Sequence, residues 1–194
     1  MLNLQKKIKM RTTIVFVFSL IIVTVCFSQN SIDLSKWYAY KIYTSGISDA
    51  QKADYLSRSI EKMNFAVFSA FDDKDETGYV ILSAPYQMHE IEVYVNNSFS
   101  DIHIESNEKL TLDEHLFLSI YFLRGFIPKE KQSDMLPVFI NLGPNKDLSN
   151  QLYALAKSIW IKKYPDSYKA LTPVPKPLTP EEQKEVQQKL NSKN

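Results

Sequence analysis

The chain has 194 residues, a formal net charge of +1, 44% hydrophobic residues and one cysteine. This much apolar sequence is enough for one compact domain, or for one domain with a helical appendage. The nearly balanced charge gives no basic face of the kind that nucleic acid requires. A single cysteine cannot form a disulfide within the chain, so stability has to come from burial.

Residues 1–28 are predicted to be a secretory signal peptide. Four basic residues lead into an uncharged apolar run over 14–27, which is the arrangement of such a peptide. A membrane-spanning helix needs about 20 residues, and this apolar run is shorter. Small side chains at Cys26 and Ser28 predict cleavage after Ser28, so that Gln29 becomes the N-terminus. A retained anchor, or a lipid on Cys26, is the alternative.

Cleavage would change the composition that matters for function. The remaining chain has 19 basic and 22 acidic residues, a net charge of −3, and no cysteine. It would carry no thiolate and no transmembrane segment. We therefore expect an exported protein, periplasmic or extracellular, that does not bind nucleic acid.

The first strand and the first helix are predicted over residues 37–63. Alternation in the strand places three residues on one face: Tyr38, Tyr40 and Ile42. Ser48 is the expected N-cap, with Gln51 three residues later in a capping box. The helix that follows has one apolar stripe, formed by Ala53, Leu56, Ile60 and Met63.

A hairpin, a second helix and a fourth strand are predicted next. Two β-rich runs, 65–71 and 79–84, flank an acidic turn and predict the hairpin. The helix has an apolar face formed by Met88, Ile91 and Val95, although alternation in the same stretch leaves a strand as the alternative. Ile102 and Ile104 mark the fourth strand. The order predicts an α+β fold, a ferredoxin-like βαββαβ antiparallel sheet with two helices on one face.

The stretch over 37–105 resembles the heavy-metal-associated (HMA) domain family in the order and lengths of its elements. In that family a Gly-Met-Thr-Cys-x-x-Cys segment follows the first strand, and its two thiolates bind a soft metal such as copper(I). The matching segment here is GISDAQK, which starts at Gly46. Asp49 and Lys52 stand in the places of the two cysteines. The resemblance therefore implies the family's fold without thiolate metal binding at this loop.

The second half of the chain is predicted to be a helical extension. Thr111 and Glu114 form another capping box, and the apolar helix that follows ends at Gly125. We expect this helix to pack on the open face of the sheet, with burial against a partner as the alternative. Residues 135–143 predict an extended edge segment, because Pro137 is tolerated at an edge and not in a central strand.

A long helix over 144–164 is predicted next, and Pro165 ends it. Its large rings, Tyr153, Trp160 and Tyr164, are expected to pin the helix to the body of the protein. An exposed aromatic surface is the alternative. The pattern GPNKD...Y...K..WI..YP..Y resembles a recurring C-terminal element of small secreted Bacteroidetes proteins.

The predicted organisation has four segments. Residues 1–28 are the signal peptide, and 29–106 are the ferredoxin-like, HMA-type domain. Residues 107–172 are the helical extension packed on that domain. Residues 173–194 are a proline-rich linker followed by a marginal tail helix.

Few residues point to chemistry. Each of the three histidines, His89, His103 and His115, would come from a different element, and none lies in a His-Glu-x-x-His helix. Glycine-rich phosphate loops and Gly-x-Ser-x-Gly nucleophile motifs are absent from the sequence. We therefore predict no enzyme activity and no catalytic, cofactor-binding or metal-binding residue.

The sequence favours an exported, non-catalytic interaction or adaptor module of the cell envelope, with an envelope protein or peptide as its partner. One alternative is a small apolar ligand held between the sheet and the helix over 111–124. Another is a metal site formed by the three histidines.

Overall fold

An antiparallel sheet of four strands lies at the centre of the described part of the protein. The computed structural model describes residues 32–172 and Gln188. The strands are β1 (Tyr38–Ser45), β2 (Ala66–Phe71), β3 (Thr77–Leu82) and β4 (His103–Leu110). They lie in the order β2-β3-β1-β4, and every neighbouring pair is antiparallel. The central strands are therefore β1 and β3, and the edges are β2 and β4.

Two helices connect these strands and pack on one face of the sheet. The first, α1 (Ala50–Ile60), joins β1 to β2, and the second, α2 (Met88–Ser98), joins β3 to β4. Each connection skips one central strand, because β3 lies between β1 and β2 while β1 lies between β3 and β4. This is the split βαβ arrangement of a ferredoxin-like fold. It confirms the predicted α+β class, and α2 is the helix rather than the alternative strand.

Three α-helices and a short 3-10 helix, Lys129–Lys131, follow β4 within the described residues. The α-helices are α3 (Glu114–Arg124), α4 (Lys146–Lys163) and α5 (Pro165–Leu171). Buried side chains of α3 and α4 share a core with β2 and β3 on the sheet face opposite to α1 and α2. The expected packing of α3 on the open face of the sheet is confirmed.

The sheet therefore separates two apolar cores. The core on the α1 side includes Tyr40, Ile42, Leu56, Ile60, Val80 and Ile91. The core on the α3 side includes Phe68, Ile81, Phe117, Tyr121, Leu152 and Trp160. Consecutive residues of a strand point to opposite faces, which is why Val80 and Ile81 belong to different cores. Both faces of the sheet are thereby used for burial.

The N-caps predicted for α1 and α3 are wrong by one or two residues. The N-cap of α1 is Asp49, whose carboxylate accepts the Lys52 N–H at 2.8 Å, and Ser48 only donates its hydroxyl to Asp49. The N-cap of α3 is Asp113, which accepts the Leu116 N–H at 2.7 Å. A carboxylate is favoured at both places because it caps the backbone and also meets the positive end of the helix dipole.

Residues 135–143 form no strand, which corrects the prediction of an edge segment. Pro137 has no N–H to donate to a neighbouring strand. The segment is held by side chains instead, since the Tyr121 hydroxyl donates to the Val138 carbonyl oxygen at 3.0 Å. It is part of the connection between α3 and α4.

Two further boundaries differ from the predictions. The fourth strand is His103–Leu110, later than the predicted stretch 99–106 and without Ile102. Pro165 ends α4, as predicted, and also begins the unpredicted helix α5. Proline suits the first turn of a helix because that turn leaves its N–H groups unpaired. The predicted signal peptide, 1–28, and the predicted tail, 173–194 apart from Gln188, lie outside the described residues.

Candidate functional site

The loop that matches the metal-binding loop of the HMA family is occupied by a salt bridge. Lys52 Nζ contacts the Asp101 carboxylate and lies 3.5 Å from the Gly46 carbonyl oxygen. Gly46 has a φ of +87°, and a Cβ there would lie 1.6 Å from the Asp101 carbonyl oxygen. The loop therefore ties the end of β1 to the chain just before β4. The ammonium group of Lys52 has no lone pair with which to bind a metal.

The three histidines lie apart and are exposed. His89 lies on α2, with its Nδ1 3.5 Å from Glu92 Oε2, whereas His103 begins β4 and His115 lies in the first turn of α3. Among the residues that the structure describes, no group of three or more His, Cys, Asp or Glu side chains could hold a metal ion. The structure therefore does not bring together the residues of the metal-site alternative.

Two of the three predicted rings, Trp160 of α4 and its C-cap Tyr164, pack on the core of the protein, whereas Tyr153 does not. Trp160 is fully buried, and its Nε1–H donates to the Gln132 carbonyl oxygen at 2.6 Å. The Trp160 and Tyr164 ring centroids are 5.7 Å apart. The alternative of an exposed aromatic surface is therefore wrong for Trp160, since its ring is part of the core.

A buried ion cluster connects α3 to α1 at the β2 edge. The Arg124 side chain is 4% exposed, and its guanidinium contacts Asp54 and Glu61, with a distance of 3.3 Å from Nε to Glu61 Oε1. Glu61 is 5% exposed and also accepts the Ser69 N–H of β2 at 3.3 Å. Burial raises the pKa of the Glu61 carboxyl, because the loss of hydration outweighs the attraction of Arg124. The charges are paired within the cluster, which fits a structural role.

Four large apolar side chains stay exposed on the connection between α3 and α4. They are Phe126, Met135, Val138 and Phe139, each between 39 and 53% exposed, and we call them the apolar strip. Their neighbours Ile127 and Ile140 are buried and anchor the segment. Single exposed apolar residues are ordinary, whereas a contiguous group of them marks an interaction site, so the apolar strip is the candidate surface of this chain.

Contacts with both flanking helices hold the apolar strip in place. A Cβ on Gly125 would lie 2.8 Å from Val138 Cγ2, so Val138 packs directly on the end of α3 that Phe126 follows. The Phe139 ring makes an edge contact with Tyr153 of α4, with 5.9 Å between the ring centroids. The strip is therefore a preformed surface rather than a loose loop.

The way α3 ends determines the backbone at Phe126. The Ile127 N–H donates to the Phe122 carbonyl oxygen at 3.0 Å. The Phe126 N–H donates to the Leu123 carbonyl oxygen, also at 3.0 Å. These two bonds form the Schellman pattern, whose left-handed position is usually a glycine. Here that position is Phe126, with a φ of +52°, while Gly125 has an ordinary φ of −83°.

The apolar strip is not predicted from the sequence. Met135, Val138 and Phe139 are predicted only as part of an edge segment, and Phe126 has no predicted role. Periodicity cannot distinguish an apolar residue that faces the core from one that faces solvent. The sequence offers only a weak signal for the strip, an apolar stretch that is interrupted by Pro137.

Comparisons with known proteins add no relative. No family model matches the chain, and no significant similarity to a curated protein or to a solved structure was found. The resemblances to the heavy-metal-associated family and to the Bacteroidetes element therefore stay predictions. Within the described residues, no helix is both long enough and apolar enough to cross a bilayer. Any assignment of function has to rest on the surface itself.

Proposed function

We propose that this chain is an exported, non-catalytic interaction module whose apolar strip binds an envelope protein or peptide. The observation that carries the proposal is Phe126, whose ring is 46% exposed although its backbone is left-handed. This conformation costs an L-residue about 1 kcal/mol or more, and glycine would adopt it freely. Strain of this kind is concentrated at binding and catalytic sites. A phenylalanine at such a position costs folding energy, and a contact with another molecule would offset this cost.

The composition around the strip favours a protein partner over a lipid surface. Interface centres are enriched in Phe and Met and depleted of charge, while their rims are polar. The strip supplies the apolar centre, and the segment between Phe126 and Met135 supplies four charges: Lys129, Glu130, Lys131 and Asp134. These charges cancel, whereas a surface for anionic lipid would carry an excess of Lys and Arg.

Photo-crosslinking tests the proposal in cells that produce the protein. The photoreactive phenylalanine analogue p-benzoylphenylalanine replaces Phe126 or Phe139 in the full-length chain. Tyr86, which is 89% exposed and lies outside the strip, is the matched control position. We expect the same discrete cross-linked product from the two strip positions and no such product from Tyr86.

The partner identified by mass spectrometry is then titrated with two variants, Phe139→Ser and Tyr86→Ser. An anchor at the centre of an interface contributes about 1–2 kcal/mol or more, so Phe139→Ser should weaken binding about tenfold. Tyr86→Ser should leave the affinity unchanged. Three results would each overturn the proposal: no cross-link, equal cross-linking at all three positions, or equal affinities of the two variants.

A further inference from the structure

A cleft of about 400 Å³ opens between the end of α1 and the turn that precedes α4. One wall comes from α1 and the loop that leads into β2, and the other from residues 141–145. None of its lining residues belongs to the apolar strip or to α3. It is therefore separate from the proposed interaction surface, and it is not the space between sheet and α3 in which the sequence places a small ligand.

Hydrogen bonds fix the wall on the α4 side. The Gly143 N–H donates to Asn141 Oδ1, and the Leu142 N–H donates to Ser149 Oγ, both at 3.0 Å. The turn is thus tied to itself and to the first turn of α4. Ligand sites are usually preformed in this way, because a rigid wall loses little entropy on binding.

The floor of the cleft is apolar. It is formed by Met63, Ala66, Val67, Leu142 and Leu148. An apolar lining with a few polar groups at the rim is typical of small-molecule sites. The volume of the cleft lies within the range of about 300–1,000 Å³ that is usual for small-molecule sites, so an acid with a chain of about ten carbons is a suitable probe.

The rim of the cleft on the α1 side carries an excess of positive charge. Arg58, Glu61 and Lys62 all line it. Glu61 is paired with Arg124, and Arg58 Nε lies 2.7 Å from an Asp54 carboxylate oxygen. Lys62 has no salt bridge to any residue in the described part of the chain. The rim is therefore complementary to one negative charge.

We propose that the cleft binds a carboxylate carried on a short apolar chain. Lys62 contacts the carboxylate, and Met63 and Val67 lie along the chain. A free amphipathic acid and the C-terminal residues of a peptide share this chemistry. The site is independent of the apolar strip, so it can exist whether or not the strip binds a partner.

Calorimetric titration of the protein purified from producing cells tests the site. The probes are decanoate, decylamine as the cation of equal chain length, and an apolar tripeptide with either a free or an amidated C-terminus. Decanoate or the free-acid tripeptide should bind at least about tenfold more tightly than decylamine or the amidated peptide, since only the two acids offer Lys62 a charged acceptor.

Two lysine variants make the test specific. Lys62→Met should weaken binding of the acid about tenfold, whereas Lys74→Met, at an exposed lysine in the β2–β3 turn, should have no effect. Binding of decanoate alone would identify a free amphipathic acid, and binding of the free-acid tripeptide alone a peptide C-terminus. If neither acid binds, if decylamine binds equally well, or if the two variants behave alike, the proposed site is wrong.

Discussion

Replacing Arg124 by methionine should strongly destabilise the fold at neutral pH. Methionine keeps most of the apolar length of the side chain, but it leaves Glu61, which is 5% exposed, without its guanidinium partner. Removing one partner of a buried ion pair costs about 3–5 kcal/mol. For a domain of this size the expected fall in Tm is roughly 10–15 °C.

The loss of stability caused by Arg124→Met should become smaller as the pH falls. Burial raises the pKa of the Glu61 carboxyl above its ordinary value of 4.5, and removal of Arg124 raises it further because the attraction is gone. A carboxyl whose pKa is higher in the folded state stabilises the fold while it is protonated. That contribution is lost as the pH rises through the folded-state pKa. The difference between variant and parent is therefore largest at neutral pH and smallest below 4.5.

Urea unfolding followed by tryptophan fluorescence measures this difference, because Trp160 is buried in the α3-side core. Lys162→Met is the matched control, since Lys162 and Glu114 also form a 2.7 Å salt bridge but are both more than half exposed. Its expected loss is below about 1 kcal/mol. The double variant Arg124→Met/Glu61→Gln should recover much of the loss, because glutamine is uncharged and still offers an acceptor to β2.

Either of two results would contradict a stabilising role of the pair between Arg124 and Glu61. One is a loss below about 1 kcal/mol for Arg124→Met at neutral pH, which is the range of an exposed pair. The other is a loss of the same size at neutral pH and below 4.5, which would mean that the charge on Glu61 does not cause it.

Three more predictions concern the apolar strip and the N-terminus. The free energy of unfolding of Phe126→Gly should lie within about 0.5 kcal/mol of that of the parent. Relief of the left-handed strain in the folded state offsets the extra freedom that glycine gives to the unfolded chain. Phe126→Val should lose about 1–2 kcal/mol; equal stability of the two variants in urea would contradict the left-handed assignment. Gly125→Ala should lose about 1 kcal/mol or more, because its Cβ would lie 2.8 Å from Val138 Cγ2. Adding Val138→Ala should relieve part of this loss in a double-mutant cycle, and strict additivity would argue against the contact. The intact mass of the protein exported by producing cells should correspond to a chain that starts at Gln29, and the mass of an uncleaved chain would contradict the predicted signal peptide.

The order of strands and helices can be predicted because it depends on residues that are close in sequence. Ala53, Leu56 and Ile60 recur at helical spacing and lie on the buried face of α1, and Tyr40 and Ile42 alternate into the same core. Residues at these spacings share a face of their element whatever surrounds it. The order of the elements, and with it the ferredoxin-like α+β class, follows from this local information.

The residues that matter most at the α3 end cannot be predicted in the same way. Arg124 reads as an ordinary exposed cation in the last turn of a helix, yet it is buried because it meets Glu61, 63 positions away in the sequence. Phe126 has no predicted role, yet the Schellman turn gives it a left-handed backbone and leaves it 46% exposed. Gly125 is the C-cap of α3, as the sequence predicts, but the close approach of Val138 to it has no signal in the local sequence.

The sequence by itself determines the order of the main strands and helices and which of their faces are apolar, although it leaves α2 open and misses α5. The tertiary structure alone decides which apolar face is covered, which charge is paired and which ring remains in water. The reason is physical: periodicity is a property of one segment, whereas loss of water by a side chain requires a second segment, and the two are brought together only when the sheet and its helices have packed.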